Sequence, residues 1–262
     1  NMKTTITHQR ILNLFRLLKT LLIACFFLGS IGTFAQENNA LEPAQILVFT
    51  KTTGWRHSSI EAGVKALKKL GEKDGFEVTQ TEDAFSFHPD NLIKYQMVLF
   101  LSTTLEVLND TQQKTFENYM RQGGAFMGIH AAADTEYEWP FYGKLVGAYF
   151  ESHPNDPNVL TAQMRVLDPN HPATKNLPLS WTRADEWYNY KNINPAIKVL
   201  INLEEDSYSG GTNGANHPIA WYHESLGGRA FYTGGGHTEA SFKEATFLDH
   251  LSGGIAYCLG RD

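Results

Sequence analysis

The sequence predicts a doubly wound α/β fold with a mostly parallel central sheet. The first observation is that four apolar, strand-like segments alternate with helical patterns up to residue 130. The second is the composition of the 262 residues, of which 42% are hydrophobic and 19% charged, as in ordinary globular proteins. The third is that residues 151–195 are rich in Pro, Asn, His and aromatic residues. We therefore expect one domain with an elaborated C-terminal half.

The apolar segments of the first half have the length and composition of buried strands. The run 97–101 contains no polar residue, which is typical of a central parallel strand that is covered on both faces. A helix is expected near Ser58, because Ser58 and Glu61 have the spacing of a capping box. A polar amphipathic helix follows at 110–122 and ends at two glycines. The predicted strands are 46–49, 76–78, 97–101 and 125–129.

The second half is predicted to contain short strands and one closing helix. The apolar segment 242–259 predicts the helix. Neither an internal repeat nor a linker interrupts the sequence, so residues 45–262 form one predicted domain. The strand patterns lie at 164–167, 197–203, 218–222 and 229–233.

The N-terminal segment 1–35 has the three parts of a secretory signal peptide. Its four basic residues precede an apolar run, small residues lead to Ala35, and no acidic residue is present. Cleavage before Gln36 leaves a short polar lead-in at 36–44. We expect a periplasmic or secreted protein whose mature form has no transmembrane span. The alternative is a lipoprotein signal at Cys25, but the apolar run continues past Cys25, which favours ordinary cleavage.

Charge and cysteine content argue against several classes of function. The net charge of −6 argues against nucleic acid as the main partner. Two cysteines cannot form a disulfide-rich scaffold or a Cys-based zinc cluster. Cys258 lies in the predicted closing helix, where we expect an inert core residue. The sequence also has no nicotinamide-binding fingerprint, so a dehydrogenase is not expected.

Three predicted strand ends carry unusual polar groups, and open α/β sheets bind ligands outside the carboxyl ends of their strands. After the first strand, a glycine turn at 53–58 leads into a helix and places Arg56 and His57 near free backbone N–H groups. This arrangement suits an anion or a polarised oxygen of a substrate. The alternative is that both side chains only cap and pack the turn.

The second strand end, 128–134, predicts a strand–turn–helix elbow. Small residues on both sides allow a sharp turn that pushes His130 into the cleft, where hydrolases and amidotransferases hold Ser or Cys. Asp134 follows four residues later and shares a face with His130 if a helix begins there. The pair could be two ligands, or a base and its orienting group. The alternative is a structural histidine.

The third strand end places His237 after three consecutive glycines at 234–236. The glycines allow close backbone approach, although the phosphate-loop pattern is absent. Other histidines precede prolines and are predicted turn positions, namely His88, His153 and His171.

A fourth segment, 183–188, places the carboxylate of Glu186 beside the aromatic residues Trp187 and Tyr188. Trp221 lies in a further aromatic segment of the second half. Carboxylates bind hydroxyls or a metal, and aromatic rings stack on the faces of sugars. The alternative is a surface strand whose aromatic residues belong to the core.

Together these motifs resemble the ThuA-like family, which is named for trehalose utilisation. The resemblance covers about residues 45–260. It implies a flavodoxin-like fold related to class I glutamine amidotransferases and a role in the catabolism of sugars, including keto sugars. One difference is the glycine turn before His237, where relatives have bulkier residues, so we expect a looser loop. The resembling segments are 53–57, 128–134, 168–172, 185–188, 217–221, 228–233 and 236–238.

Glutamine amidotransfer itself is not expected. That reaction needs a cysteine at the elbow, where this sequence has His130. The remaining cysteine of the mature chain, Cys258, lies in the closing helix, and an imidazole cannot replace a thiolate in forming a thioester.

Three hypotheses follow for the function. The first is an enzyme that acts on a sugar or keto sugar, with either histidine acid–base chemistry or a divalent metal. The second is a carbohydrate-binding or accessory module without catalysis, and the third is an envelope protein, which requires lipidation of Cys25. In the first hypothesis the catalytic candidates are His130, His237, Glu186 and Asp134, and the metal candidates are His130, His237 and Glu186. The substrate-binding candidates are Arg56, His57, Trp187, Tyr188 and Trp221.

Overall fold

The computed structural model describes residues 42–261, and from Pro43 onward these form one compact unit. A sheet of nine strands has the order β2-β1-β3-β4-β11-β10-β9-β6-β7, and β5 and β8 form a separate pair. The strands are β1 Ala44–Phe49, β2 Phe76–Thr81, β3 Met97–Leu101, β4 Ala125–Ile129, β5 Tyr149–Ser152, β6 Val159–Val166, β7 Ser180–Glu186, β8 Asn189–Lys191, β9 Lys198–Glu204, β10 His217–His223 and β11 Ala230–Thr233.

The first half of the sheet is parallel. The pairs β1–β2, β1–β3, β3–β4 and β4–β11 all run in the same direction. All five residues of β3 and of β4 are buried, as expected for central strands that are covered on both faces. The predicted doubly wound α/β class is therefore confirmed, and the carboxyl ends of β1, β3, β4 and β11 lie at one edge.

The second half of the sheet is antiparallel and forms the elaborated C-terminal half that the sequence predicts. From β11 the sheet continues through β10, β9 and β6 to β7, each paired antiparallel to its neighbour. Although three strands separate β7 from β11, the end of β7 contacts the loop that follows β11, because Asp185 accepts hydrogen bonds from the Gly236 and His237 N–H groups. The antiparallel half therefore curls back towards the carboxyl ends of the parallel strands.

The described part of the chain has five α-helices, of which four lie between strands and the fifth follows β11. Helix α1 packs against α5, and α2 packs against α3. Helix α3 begins with a capping box between Asn109 and Gln112, which satisfies two otherwise free N–H groups. Helix α5 buries one apolar face that includes Phe247, Leu251 and Ile255. The helices are α1 Ile60–Asp74, α2 Pro89–Leu92, α3 Asp110–Arg121, α4 Pro140–Val146 and α5 Ala245–Cys258.

The predicted capping box at the start of α1 is wrong. Ser59, not Ser58, precedes the first helical residue, and its side chain makes no capping hydrogen bond. The Ser59 hydroxyl instead donates to the carbonyl of Gly236, at 2.9 Å. Glu61 accepts a hydrogen bond from Arg56, at 2.8 Å. The start of α1 is thus tied to the loop after β11 instead of to its own backbone.

The predicted core role of Cys258 agrees with its position. It is buried at the end of α5, and burial raises the pKa of its thiol well above the ordinary value. Within residues 42–261, no helix is long and apolar enough to cross a membrane. The predicted signal peptide, its cleavage site and Cys25 lie outside the described residues.

Candidate functional site

Four ligand-type side chains from distant parts of the sequence meet beyond the carboxyl ends of the strands. His57 follows β1, His130 directly follows β4, His237 follows β11, and Glu186 is the last residue of β7. One nitrogen from each histidine and one oxygen of Glu186 lie within 4.8 Å of one another. We call these four residues the His–Glu cluster.

His130 occupies the predicted elbow and adopts a backbone conformation that directs its side chain into the cluster. Its φ of 53° is left-handed, and the buried Tyr232 hydroxyl donates to its carbonyl at 2.8 Å. Its Nδ1 lies 2.9 Å from the Gly234 carbonyl. Because a carbonyl can only accept, Nδ1 carries a proton, and in the neutral ring Nε2 has a free lone pair. That Nε2 lies 3.3 Å from Glu186 Oε2.

His237 is held by the buried carboxylate of Asp185. The N–H of Gly236 donates to Asp185 Oδ2 at 2.8 Å, and the N–H of His237 donates to Oδ1 at 3.1 Å. The glycines allow this approach, since a Cβ at Gly235 would lie 2.7 Å from a nitrogen of Arg183. Asp185 therefore holds the backbone of this loop, while the looser loop that we expect from its three glycines stays a prediction.

Glu186 is the common partner in the cluster. Its Oε2 lies 3.1 Å from His237 Nδ1 as well as 3.3 Å from His130 Nε2. Its Oε1 accepts a hydrogen bond from Asn158 at 3.1 Å and lies 3.6 Å from His153 Nε2. Burial alone raises the pKa of Glu186, but the hydrogen bonds and charges of His130 and His237 outweigh burial and hold its pKa well below the ordinary range.

His57 is 4% exposed, and among the described residues its Nδ1 has no hydrogen-bond partner. Its ring packs edge-on to His130 and His237, with centroid distances of 4.8 and 5.1 Å. Burial, together with the neighbouring imidazoles, lowers the pKa of His57 from 6.5 to about 3. The side chain is therefore neutral at physiological pH, which is the form that binds metals.

The cluster lies at one side of an open cleft of about 430 Å³. The Tyr188 ring lies 4.5 Å from the His130 ring and 4.4 Å from that of Phe150. The Trp55 side chain, 74% exposed, lines the same cleft. Larger surface grooves of about 580 Å³ occur elsewhere but are not lined by the cluster. The cleft is lined by Trp55, Arg56, His57, Ser58, Asp134, Phe150, His153, Asn158, Glu186, Tyr188 and His237.

Three further candidates from the sequence line the cleft without entering the cluster. Asp134 accepts a hydrogen bond from the Tyr137 hydroxyl, and burial raises the pKa of its carboxyl. Arg56 is paired with Glu61 and Glu82, each at 2.8 Å, so its charge is already compensated. The Tyr188 ring packs against the His130 ring at an angle of 34°. His57, which the sequence suggested as a substrate-binding group, belongs to the cluster itself.

The structure places Trp187 and Trp221, which the sequence suggested as substrate-binding residues, in the core. Both have no exposed surface, and neither lines the cleft. Trp187 donates its indole N–H to the Leu160 carbonyl, and Trp221 donates its own to that of Val146. These side chains therefore cannot stack on a bound ligand, and the core alternative describes them better.

Sequence reasoning missed the residues on the far wall of the cleft. The sequence predicts His153 as a turn position and does not single out Asn158 or Phe150. All three belong to β5 or to the connection from β5 to β6. The sequence offers no spacing signal for them, because their approach to Glu186 depends on how β7 curls back over the parallel strands.

A sheet with parallel and antiparallel halves, and a ligand-type side chain at the elbow after a central strand, define a flavodoxin-like fold, which glutamine amidotransferase-like proteins share. The family described as ThuA, trehalose utilisation, matches residues 45–258, and the chain belongs to this family.

Solved structures agree with this assignment. A ThuA-like protein from Bacteroides uniformis is 25% identical, with a TM-score of 0.72 over 87% of this chain and 96% of that one. A ThuA-like protein from Parabacteroides merdae is 18% identical, with a TM-score of 0.62 over 84% and 91%. A GMP synthase protein from Thermoplasma acidophilum shares the fold at 13% identity, with a TM-score of 0.54 over 83% and 95%. No curated protein matches this chain.

Proposed function

We propose that this chain is an enzyme of carbohydrate catabolism that acts on a sugar or keto sugar in the described cleft. One observation carries the proposal. Two histidines from separate strand ends lie 3.3 and 3.1 Å from one carboxylate oxygen of Glu186, beside an open cleft. A buried group of this kind can hold positive charge, on an imidazole or as a bound cation, next to an oxygen of the substrate.

That positive charge would polarise a sugar carbonyl or hydroxyl. Burial lowers the pKa of His237, but its hydrogen bond to Glu186 and the charge of Glu186 more than offset burial, so the pKa is raised. Asp134 lines the same cleft and, with its raised pKa, can take or return a proton beside a polarised carbonyl. Proton transfer next to a carbonyl needs both groups, an electrophile and a base.

The walls of the cleft suit a sugar. Phe150 and the exposed Trp55 offer aromatic surface on which the C–H face of a sugar ring can stack, whereas Tyr188 is buried against the rings of His130 and Phe150. Asn158 and His153 offer polar groups for hydroxyls. A cleft wall that combines aromatic and polar side chains suits a carbohydrate better than it suits a purely apolar or a phosphorylated ligand.

Glutamine amidotransfer is not part of the proposal. The elbow holds His130, and the described part of the chain has its free cysteine, Cys258, buried in α5. The fold is shared with amidotransferases, but the thiolate that forms the thioester is missing from the elbow.

We also propose that the protein acts outside the cytoplasm. The support is the sequence of segment 1–35, with basic, apolar and small-residue parts in the order of a signal peptide. Mass spectrometry of the mature N-terminus tests this. A chain that begins at Gln36 agrees with cleavage, a lipid on Cys25 would indicate a lipoprotein, and an intact segment would contradict secretion by this signal.

A second candidate function is a carbohydrate-binding module without catalysis. The observation that favours it is the 74% exposure of Trp55 at the cleft, since exposed aromatic rings are typical of sugar-binding surfaces. The two candidates differ in whether a product forms, while both predict binding.

The test is to incubate the protein with trehalose, glucosides and their keto derivatives and to follow products by chromatography. Binding is measured in parallel by calorimetry. We expect turnover by the wild type and by His88→Ala, whose side chain is exposed outside the cleft, and none by His130→Ala or Asp134→Asn. Binding by the wild type without product would favour the module. Undiminished turnover by His130→Ala would remove the cluster from the mechanism.

A further inference from the structure

We propose that the His–Glu cluster is a binding site for one divalent transition-metal ion, with His57, His130, His237 and Glu186 as its four protein ligands. Three imidazoles and one carboxylate are donors that suit zinc and the neighbouring transition metals, whereas calcium and magnesium prefer oxygen ligands. The proposed metal site lies beside the same cleft. Only the catalytic role of the metal rests on the proposed function, and the binding of the metal does not.

The spacing of the donor atoms fits such an ion. Glu186 Oε2, His130 Nε2 and His237 Nδ1 form a triangle whose edges measure 3.3, 3.1 and 3.3 Å. Metal–ligand distances of about 2.0–2.1 Å in a tetrahedron place the ligand atoms about 3.3 Å apart. These three atoms are therefore already spaced as one face of a tetrahedral site. The donor nitrogen of His57 lies within 4.8 Å of all of them and offers the fourth corner.

The distribution of protons also calls for a cation between these atoms. His130 donates through Nδ1 to the Gly234 carbonyl, so in its neutral form a bare Nε2 faces an oxygen of Glu186 and a nitrogen of His237. A proton on His237 satisfies one of these contacts. It leaves the lone pair of a neutral His130 against an oxygen of Glu186, and a metal ion among the four side chains would accept this lone pair together with those of the other ligands. The Nδ1 of His57 is buried and has no hydrogen-bond partner among the described residues.

A second layer of residues orients the proposed ligands, as in established metal sites. The Gly234 carbonyl fixes the tautomer of His130, at 2.9 Å. Asn158 donates to Glu186 Oε1, which leaves Oε2 directed at the histidines. Asp185 does not enter the cluster, but it holds the backbone N–H of His237 at 3.1 Å.

The open cleft on one side of the cluster separates this site from a closed structural metal site. His57, Glu186 and His237 all line the cleft, so a substrate oxygen can reach the ion as a fifth ligand. In the proposed function, the metal would act as a Lewis acid on a sugar carbonyl or hydroxyl. Asp134 and His153, which line the cleft outside the cluster, remain free to exchange protons with the substrate.

The experiment measures metal on protein that is purified without chelator and without a metal-affinity column. Elemental analysis gives the metal content, and chelator-treated protein is then titrated with Zn²⁺, Co²⁺ and Mg²⁺. The variants are His57→Ala, His130→Ala and Glu186→Gln. The control is His88→Ala, an exposed histidine outside the cleft. Circular dichroism checks that every variant folds.

We expect one equivalent of Zn²⁺ or Co²⁺ on the wild type and on His88→Ala, and no binding of Mg²⁺. Loss of a direct ligand should weaken the affinity for the metal at least about 100-fold. That factor is the upper end of the effect of replacing a residue that only orients a ligand. Bound Co²⁺ should give the intense visible absorption of a four-coordinate site in the wild type, and His57→Ala should change that spectrum.

Several outcomes would overturn the inference. If the wild type binds neither Zn²⁺ nor Co²⁺, the site does not exist. If folded His57→Ala and His130→Ala variants bind the metal as the wild type does, these residues are not its ligands. Full sugar turnover by chelator-treated protein would refute the metal but leave the proposed function standing. Stoichiometric metal without turnover of any sugar would refute the proposed function and leave the metal site standing.

Discussion

The substitution Asp185→Asn probes how the antiparallel half of the sheet is fastened to the loop that carries His237. Asp185 is fully buried, and its Oδ2 accepts hydrogen bonds from the Gly236 N–H at 2.8 Å and the Ser241 hydroxyl at 3.1 Å. The same oxygen pairs with Arg183 at 2.7 Å. Every partner of this carboxylate is a donor, so an asparagine NH₂ group at either oxygen position would face other donors.

The size of the effect follows from the burial of the ion pair. The Arg183 side chain is 4% exposed and that of Asp185 0%, so screening by water is weak. Breaking a buried pair by removing one charge costs about 3–5 kcal/mol. Arg183 keeps its second carboxylate, Glu244, at 2.7 Å, so we expect the lower part of that range, about 3 kcal/mol. For a domain of this size this corresponds to a fall in Tm of roughly 6–12 °C.

The assay is urea denaturation followed by circular dichroism, with Asp90→Asn as the matched control. The side chain of Asp90 is 94% exposed, so its substitution should change the free energy of unfolding by less than about 0.5 kcal/mol. Metal titration of the folded Asp185→Asn variant should show weaker binding, because the His237 loop loses its anchor. A variant within about 1 kcal/mol of the wild type, with unchanged metal affinity, would refute the role assigned to Asp185.

The remaining predictions concern pH, the cleft and one close backbone contact. Burial lowers the pKa of His250 from 6.5 to about 4, so below pH 6.5 this histidine binds a proton in the unfolded state but not in the folded state. The free energy of unfolding should therefore fall by up to about 3 kcal/mol between pH 6.5 and 4. Urea midpoints at pH 7 and 5 should differ more for the wild type than for His250→Gln, and equal differences would contradict this. Trp55→Ala should weaken sugar binding roughly 2- to 10-fold in calorimetry without changing the urea midpoint; unchanged binding would remove Trp55 from the site. Gly228→Ala should destabilise the fold by about 1–3 kcal/mol, because its Cβ would lie 1.9 Å from the Gly124 carbonyl oxygen; an unchanged urea midpoint would show that the loop shifts freely.

The strands of the parallel half could be predicted because burial on both faces leaves a direct trace in the sequence. The segments 97–101 and 125–129 are predicted with the bounds that β3 and β4 have. His130 could be placed at the elbow because its neighbours are small and the strand before it is apolar. These are local properties, and the order of residues along the chain is enough to determine them.

The start of α1 shows where a local pattern fails. Ser58 and Glu61 have the right spacing, but the helix begins one residue later than that pattern requires. The competing partners are distant in sequence or lie outside the helix: Gly236 accepts from Ser59, and Arg56 binds Glu61. The prediction for Trp187 is wrong for a related reason. The sequence does not distinguish a tryptophan whose indole N–H is buried against a backbone carbonyl from one that faces a ligand.

The composition of the cluster could be predicted only in part. His130, His237 and Glu186 can be identified one by one, but their convergence depends on β7, which three strands separate from β11 in the sheet. His57 joins them from the first crossover connection, and its sequence context, a glycine turn before a helix, indicates an oxygen-binding group equally well. Long-range pairing of strands therefore decides which of several polar strand ends share one site.

The elbow explains how one fold can serve different chemistries. What the elbow determines is a left-handed backbone and a side chain directed into the crevice, as at His130 with its φ of 53°. A thiol in that position attacks a carbonyl, whereas an imidazole with its Nδ1 held by the Gly234 carbonyl offers a lone pair through Nε2. A lone pair of this kind becomes a metal ligand only if other donors face it, and here Glu186 and His237 do so at 3.3 Å each. The fold therefore supplies the position, while the residues that reach it from β7 and β11 determine the reaction.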